Sequence, residues 1–101
     1  MPERREQPRI PVGEKCILVI EGRQVHAVVE NLSEIGALFR ILEPGPAPVT
    51  DEDLGAQASF DLTAFSPARR YTGEIIRRYF AEGAHHIALR FWKKYQELPA
   101  G

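Results

Sequence analysis

The chain has 101 residues, 44% hydrophobic and 27% charged, with a net charge of −1. These values describe one soluble globular domain with a small core, and they exclude a chain-wide basic footprint for nucleic acid. The single cysteine, Cys16, excludes an internal disulfide, and no stretch is long and apolar enough to span a membrane.

Residues 1–11 are polar, with prolines at 2, 8 and 11. Proline disfavours helix in the residue before it, so this segment reads as a mobile arm ahead of the first strand. Its basic residues, Arg4, Arg5 and Arg9, are all arginines. The N-terminus is charged and lacks an apolar signal region, so a cytoplasmic location is expected. Residues 15–21 alternate loosely, with Cys16, Leu18 and Ile20 on one face, and Cys16 reads as a small buried apolar group. Glu21-Gly22-Arg23 makes a turn. Residues 24–30 alternate cleanly, Val25, Ala27 and Val29 against Gln24, His26 and Glu30.

A polar segment, Asn31 to Gly36, ends that run, and Ala37, Phe39 and Ile41 then alternate with Leu38 and Arg40. Residues 43–55 hold three prolines and three consecutive acids, Asp51, Glu52 and Asp53, and read as a long solvated loop. Residues 56–62 make a fourth strand with Ala58, Phe60 and Leu62 inward. Residues 71–80 and 86–91 make two more, joined by residues 81–85. Residues 92–98 suit one or two helical turns before Pro99, with Trp92 and Tyr95 covering one end of the core. The pattern predicts an all-β fold: a small six-stranded antiparallel β-barrel over residues 12–101, preceded by the arm and closed by a short C-terminal helix.

Two motifs carry chemistry. Arg5 and Arg9 stand in R-x-x-x-R spacing, directly after Arg4. Guanidinium groups pair bidentately with phosphate oxygens, reach the O6 and N7 edge of guanine, and stack on its face. The competing reading is a solvated basic tail. Asn31, Ser33 and Gly36 form N-x-S-x-x-G where the second strand should end. Asn31 and Ser33 share a side-chain direction, so an amide and a hydroxyl can meet one base or phosphate. Gly36 permits a positive φ or a close backbone approach. The competing reading is a polar turn bonded to its own backbone. No metal site is expected at His85-His86, because no Cys or carboxylate stands at ligand spacing. Cys16 lacks a base partner for thiol catalysis.

Together, in this order and in a chain this short, the motifs resemble the PilZ domain, the receptor module for the bacterial second messenger cyclic di-GMP. The resemblance runs from Arg4 to about Phe91 and implies a six-stranded barrel whose arginine arm folds over the ligand. It implies that Arg5 and Arg9 grip phosphates and guanine, that Asn31 and Ser33 contact a guanine from the barrel surface, and that Gly36 keeps the turn open. An arginine at position 4 implies two mutually intercalated cyclic di-GMP molecules, where an apolar residue implies one. Ile35 and Ala88 stand where the family often has glycine, and neither is expected to touch ligand. The implied protein is a non-enzymatic receptor with no cofactor and no metal, acting on a protein target the sequence does not name. A nucleotide-independent interaction barrel of the same fold is the alternative. A single-strand RNA-binding barrel is disfavoured by the near-neutral charge and the lack of an aromatic platform.

Overall fold

The computed structural model describes residues 13–42 and 49–99. They form seven strands: β1 (Glu14–Ile20), β2 (Arg23–Leu32), β3 (Gly36–Ile41), β4 (Gln57–Leu62), β5 (Arg69–Ala81), β6 (Ala84–Phe91) and β7 (Gln96–Glu97). The sheet runs β4-β1-β2-β3-β6-β5, every pair antiparallel, and β4 pairs with β5 to close it. This is the six-stranded barrel that the alternation predicts. Closure removes the free sheet edges that invite aggregation. The arm, residues 1–11, lies outside the described residues.

Local chemistry sets the register. Glu21-Gly22 and Glu82-Gly83 are two-residue turns whose four residues all have positive φ, with values of 49°, 89°, 53° and 77°. That conformation matches the twist of the strands it joins and pairs Ile20 with Arg23 and Ala81 with Ala84. Each strand then sends alternate residues inward. Leu18, Ile20, Ala27, Val29, Phe39, Ala58, Phe60, Leu62, Ile75, Ile87 and Leu89 are all at most 2% exposed. Phe60 is the hub. Its ring meets Phe39 edge-on at 4.8 Å and stacks on Tyr71 at 5.2 Å.

The expected C-terminal helix does not form. Residues 92–98 are too short to hold a helix unaided, and a better partner is at hand. β6 pairs with β5 only from Gly73 onward, which leaves the start of β5 open on that side. β7 fills the gap, Gln96 opposite Arg70 and Glu97 opposite Arg69. Tyr95 covers the barrel end as expected, its ring 5.5 Å from Tyr71. Trp92 does not; it is 52% exposed, and its indole N–H donates to Glu74 at 2.8 Å.

The acidic run is also more structured than a solvated loop. Asp51–Asp53 is a 3₁₀ turn capped by Thr50. Asp53 pairs with Arg23 at 2.7 Å and Asp51 with Arg78 at 2.8 Å, tying the segment to β2 and β5. Val49, just before it, is buried in the core.

Phe60→Ala should cost about 3–5 kcal/mol, because it removes the ring that most of the aromatic core packs against and leaves a cavity. The shift in urea midpoint at constant m-value measures it.

Candidate ligand-binding site

Two β-bulges decide what faces outward. In β2, Val29 pairs with Phe39 but Asn31 pairs with Leu38, so Glu30 is an extra residue. Before this bulge the odd-numbered residues point inward; after it Leu32 points inward and Asn31 is exposed. In β5, Ile75 pairs with Leu89 but Arg77 pairs with Ala88, so Ile76 is extra. The same change of phase leaves Ile75 in the core and turns Arg77 to solvent. Bulges re-aim side chains in this way because a strand has a side-chain period of two.

The turn from Ser33 to Gly36 joins β2 to β3. The Ser33 N–H donates to the Gly36 carbonyl at 2.9 Å. The Ser33 hydroxyl reaches the same carbonyl at 3.4 Å and accepts from the Ile35 N–H at 3.2 Å. Its oxygen is therefore used first to shape the turn. The Phe91 N–H donates to the Ile35 carbonyl at 2.8 Å and ties the turn to the end of β6.

Of the two reasons for a glycine at position 36, the structure selects close approach. Gly36 does not take a positive φ, and a Cβ there would collide with the Leu89 carbonyl oxygen. Gly73 plays the same part on the other side of β6. A Cβ there would strike the Arg90 carbonyl oxygen, with its carbon at 2.7 Å and the Phe91 Cα at 2.9 Å.

Asn31, Ser33 and Gly36 come together in the wall of one open depression of about 240 Å³, with Ile35, Ala37, Leu38, Ala88 and Leu89. Arg4, Arg5 and Arg9 lie outside the described residues. Ile35 and Ala88, expected to stand apart from ligand, both line the depression. Leu38 was not singled out from sequence, although a signal existed: an apolar residue on the outward phase of an alternating strand. Below the depression, Glu30 bridges two neighbours. One oxygen accepts from Arg40 Nε at 3.1 Å, and the other lies 3.4 Å from His86 Nε2. The His86 ring is buried against Tyr79, 5.0 Å away and nearly parallel. His85 contacts Phe80 instead, on the opposite face of β6, so the two histidines do not converge. Among the described residues no group of three His, Cys, Asp or Glu is placed to hold a metal.

Two larger hollows contain none of Asn31, Ser33 and Gly36. One of about 630 Å³ lies between β1 and β4; of its charged lining residues Lys15, Asp61 and Arg70, the last two are committed to each other at 2.7 and 3.0 Å. The other, of about 420 Å³, is lined by Tyr71, Phe91 and Tyr95, with Glu34 and Lys94 completing its wall. Cys16 lines the first and is half-buried, packed against the core. Burial, aided by the Glu14 carboxylate, pushes its thiol up to about 12. At neutral pH it carries almost no thiolate and is a poor nucleophile.

A closed six-stranded barrel with an N-x-S-x-x-G turn on its outer wall defines a small barrel domain whose polar site lies outside the core. The family model of the PilZ domain matches residues 3–97, nearly the whole chain, and the chain belongs to that family. Its members are known as cyclic di-GMP receptors rather than enzymes. No curated protein matches the chain.

Two outcomes test this geometry. Gly36→Val should lower stability by about 1–3 kcal/mol, since the new side chain must push β6 away from β3; a thermal melt measures the loss. For Cys16, iodoacetamide should label the native protein far more slowly than the urea-unfolded chain at pH 8. The folded thiol's pKa lies above its unfolded value of 9.0, so this group's contribution to stability is intact below pH 9 and falls as pH rises toward 12. A urea titration at pH 8 and pH 10.5, compared with that of Cys16→Ala, isolates the slope.

Proposed function

We propose that this chain is a bacterial, cytoplasmic receptor for cyclic di-GMP, a stand-alone binding module and not an enzyme. The observation that carries the reading is the convergence of Asn31, Ser33 and Gly36 on one outer-wall depression in a chain of the PilZ family. Asn31 presents an exposed amide that can both donate to and accept from a guanine edge. Gly36 keeps the floor of the turn down, and Leu38 and Ala88 offer an apolar surface to a base. Arg5 and Arg9 supply the charge that the depression itself lacks. Guanidinium forks from the arm neutralise the two phosphates and cover the exposed guanine face.

The arm is then the signalling element. Ligand draws residues 4–9 onto the barrel, and the closed arm presents a surface to a protein target. Arg4 adds a third guanidinium, which suits two intercalated ligands. Such a pair brings two more phosphate charges and an outer guanine face. A nucleotide-independent interaction barrel is the second reading; the complete N-x-S-x-x-G wall favours the first.

Calorimetric titration of the full chain with cyclic di-GMP is the test, with GTP and cyclic AMP as controls. Binding of cyclic di-GMP alone, at two ligands per chain, is the expected result. Arg5→Ala and Arg9→Ala should each weaken it by roughly ten- to a hundredfold, the loss of about 1.5–3 kcal/mol of charge-assisted hydrogen bonding. Arg4→Leu should move the ratio toward one. A wild-type protein silent to cyclic di-GMP would leave the interaction-module reading in its place.

A further inference from the structure

We infer that Arg77 is a ligand-binding residue of the outer-wall site, holding the anionic part of the ligand at the end opposite Asn31. The inference rests on the receptor reading and assigns to its site a group that neither motif contains.

Register places it there. Asn31 pairs with Leu38, Leu38 with Ala88, and Ala88 with Arg77, so the four residues form one row across β2, β3, β6 and β5. The first three line the depression. Arg77 is the next residue in the row, about 4.8 Å of strand spacing beyond Ala88 and well within reach of an arginine side chain. Both ends of the row stand immediately after a bulge, and each bulge turns its residue outward. With a regular ladder, Asn31 and Arg77 would both point at the core. The small side chain of Ala88 leaves the line between Arg77 and the depression open.

Its charge is not committed to any described carboxylate. Among the described residues Arg23, Arg40, Arg70, Arg78 and Arg90 each pair with a carboxylate. Arg69 is held between the rings of Phe65 and Tyr95, at 3.8 and 4.0 Å. Arg77 has no carboxylate partner among the described residues. Its guanidinium lies 5.0 Å from the Tyr79 ring centroid. Tyr79 stacks on His86, and His86 faces Glu30, the residue before Asn31. One chain of contacts therefore braces both ends of the row. An arginine held over an aromatic ring loses less freedom when it binds, so more of the contact survives as affinity.

The ends of the row are three strand spacings apart, roughly 14 Å. A ligand that uses both must carry a hydrogen-bonding base edge at one end and a phosphate at the other, as a dinucleotide does and a lone base does not. Arg78 is the internal control. It pairs across the strand with Ile87, on the opposite face, and is bound to Asp51.

The experiment is calorimetry of full-length wild type, Arg77→Ala, Arg77→Lys and Arg78→Ala with cyclic di-GMP at several salt concentrations. Arg77→Ala should weaken binding by about ten- to a hundredfold and reduce the salt dependence of the affinity, because a phosphate contact is gone. Arg77→Lys should recover the salt dependence and only part of the affinity, since an ammonium keeps the charge without the fork. Arg78→Ala should match wild type in both. If wild type binds and Arg77→Ala binds equally well, the inference falls and the receptor reading stands. An affinity loss with unchanged salt dependence would make Arg77 a packing residue and overturn the inference too. A wild type that does not bind ends both.

Discussion

The structure depends on how closely β6 approaches its two neighbours. Two glycines make this possible, Gly36 on β3 and Gly73 on β5, each with no room for a Cβ beside a β6 carbonyl. With β6 drawn in on both sides, Ile87 and Leu89 lie in the core and β6 bridges β3 and β5. The same approach brings Phe91 to the Ile35 carbonyl and so fixes the Ser33–Gly36 turn against the barrel. A side chain at either glycine would disturb the fold and the site together.

Around that constraint the barrel separates an apolar interior from a polar outer wall. The interior is apolar and closely packed, with Phe60 touching rings from β3, β5 and β6. The outer wall of β2, β3, β6 and β5 carries the polar chemistry, and the two bulges are the joints between these roles. Each costs one ladder position and in return moves a polar side chain from the inward phase to the outward one. Glu30 and Ile76, the extra residues, show why composition alone is a poor guide here. Glu30 turns out to be the carboxylate that organises Arg40 and His86.

The ion pairs support geometry more than stability. Most join partly exposed groups, and such pairs contribute little each. Their effect is to remove competitors. Five arginines are occupied by Asp or Glu across the described surface, which leaves a near-neutral barrel with local, directed positive charge. The arrangement keeps off the barrel a diffuse basic surface, which would attract nucleic acid.

The strands, their inward faces and the barrel class were legible in the sequence, because a side-chain period of two is a local property and Ala37, Phe39 and Ile41, or Ala58, Phe60 and Leu62, display it directly. The N-x-S-x-x-G segment was legible for the same reason: its residues are neighbours in the chain. What lay beyond reach was everything set by pairing between distant strands. The helix expected at residues 92–98 gave way to β7 because the start of β5 offered an open edge, a fact about residues 69–70. The bulges at Glu30 and Ile76 depend on which residues of β3 and β6 they oppose. The row from Asn31 through Leu38 and Ala88 to Arg77 joins residues up to 57 positions apart. Local chemistry chose the strands and their turns; tertiary pairing chose the register, and register alone decided which side chains share the outer wall.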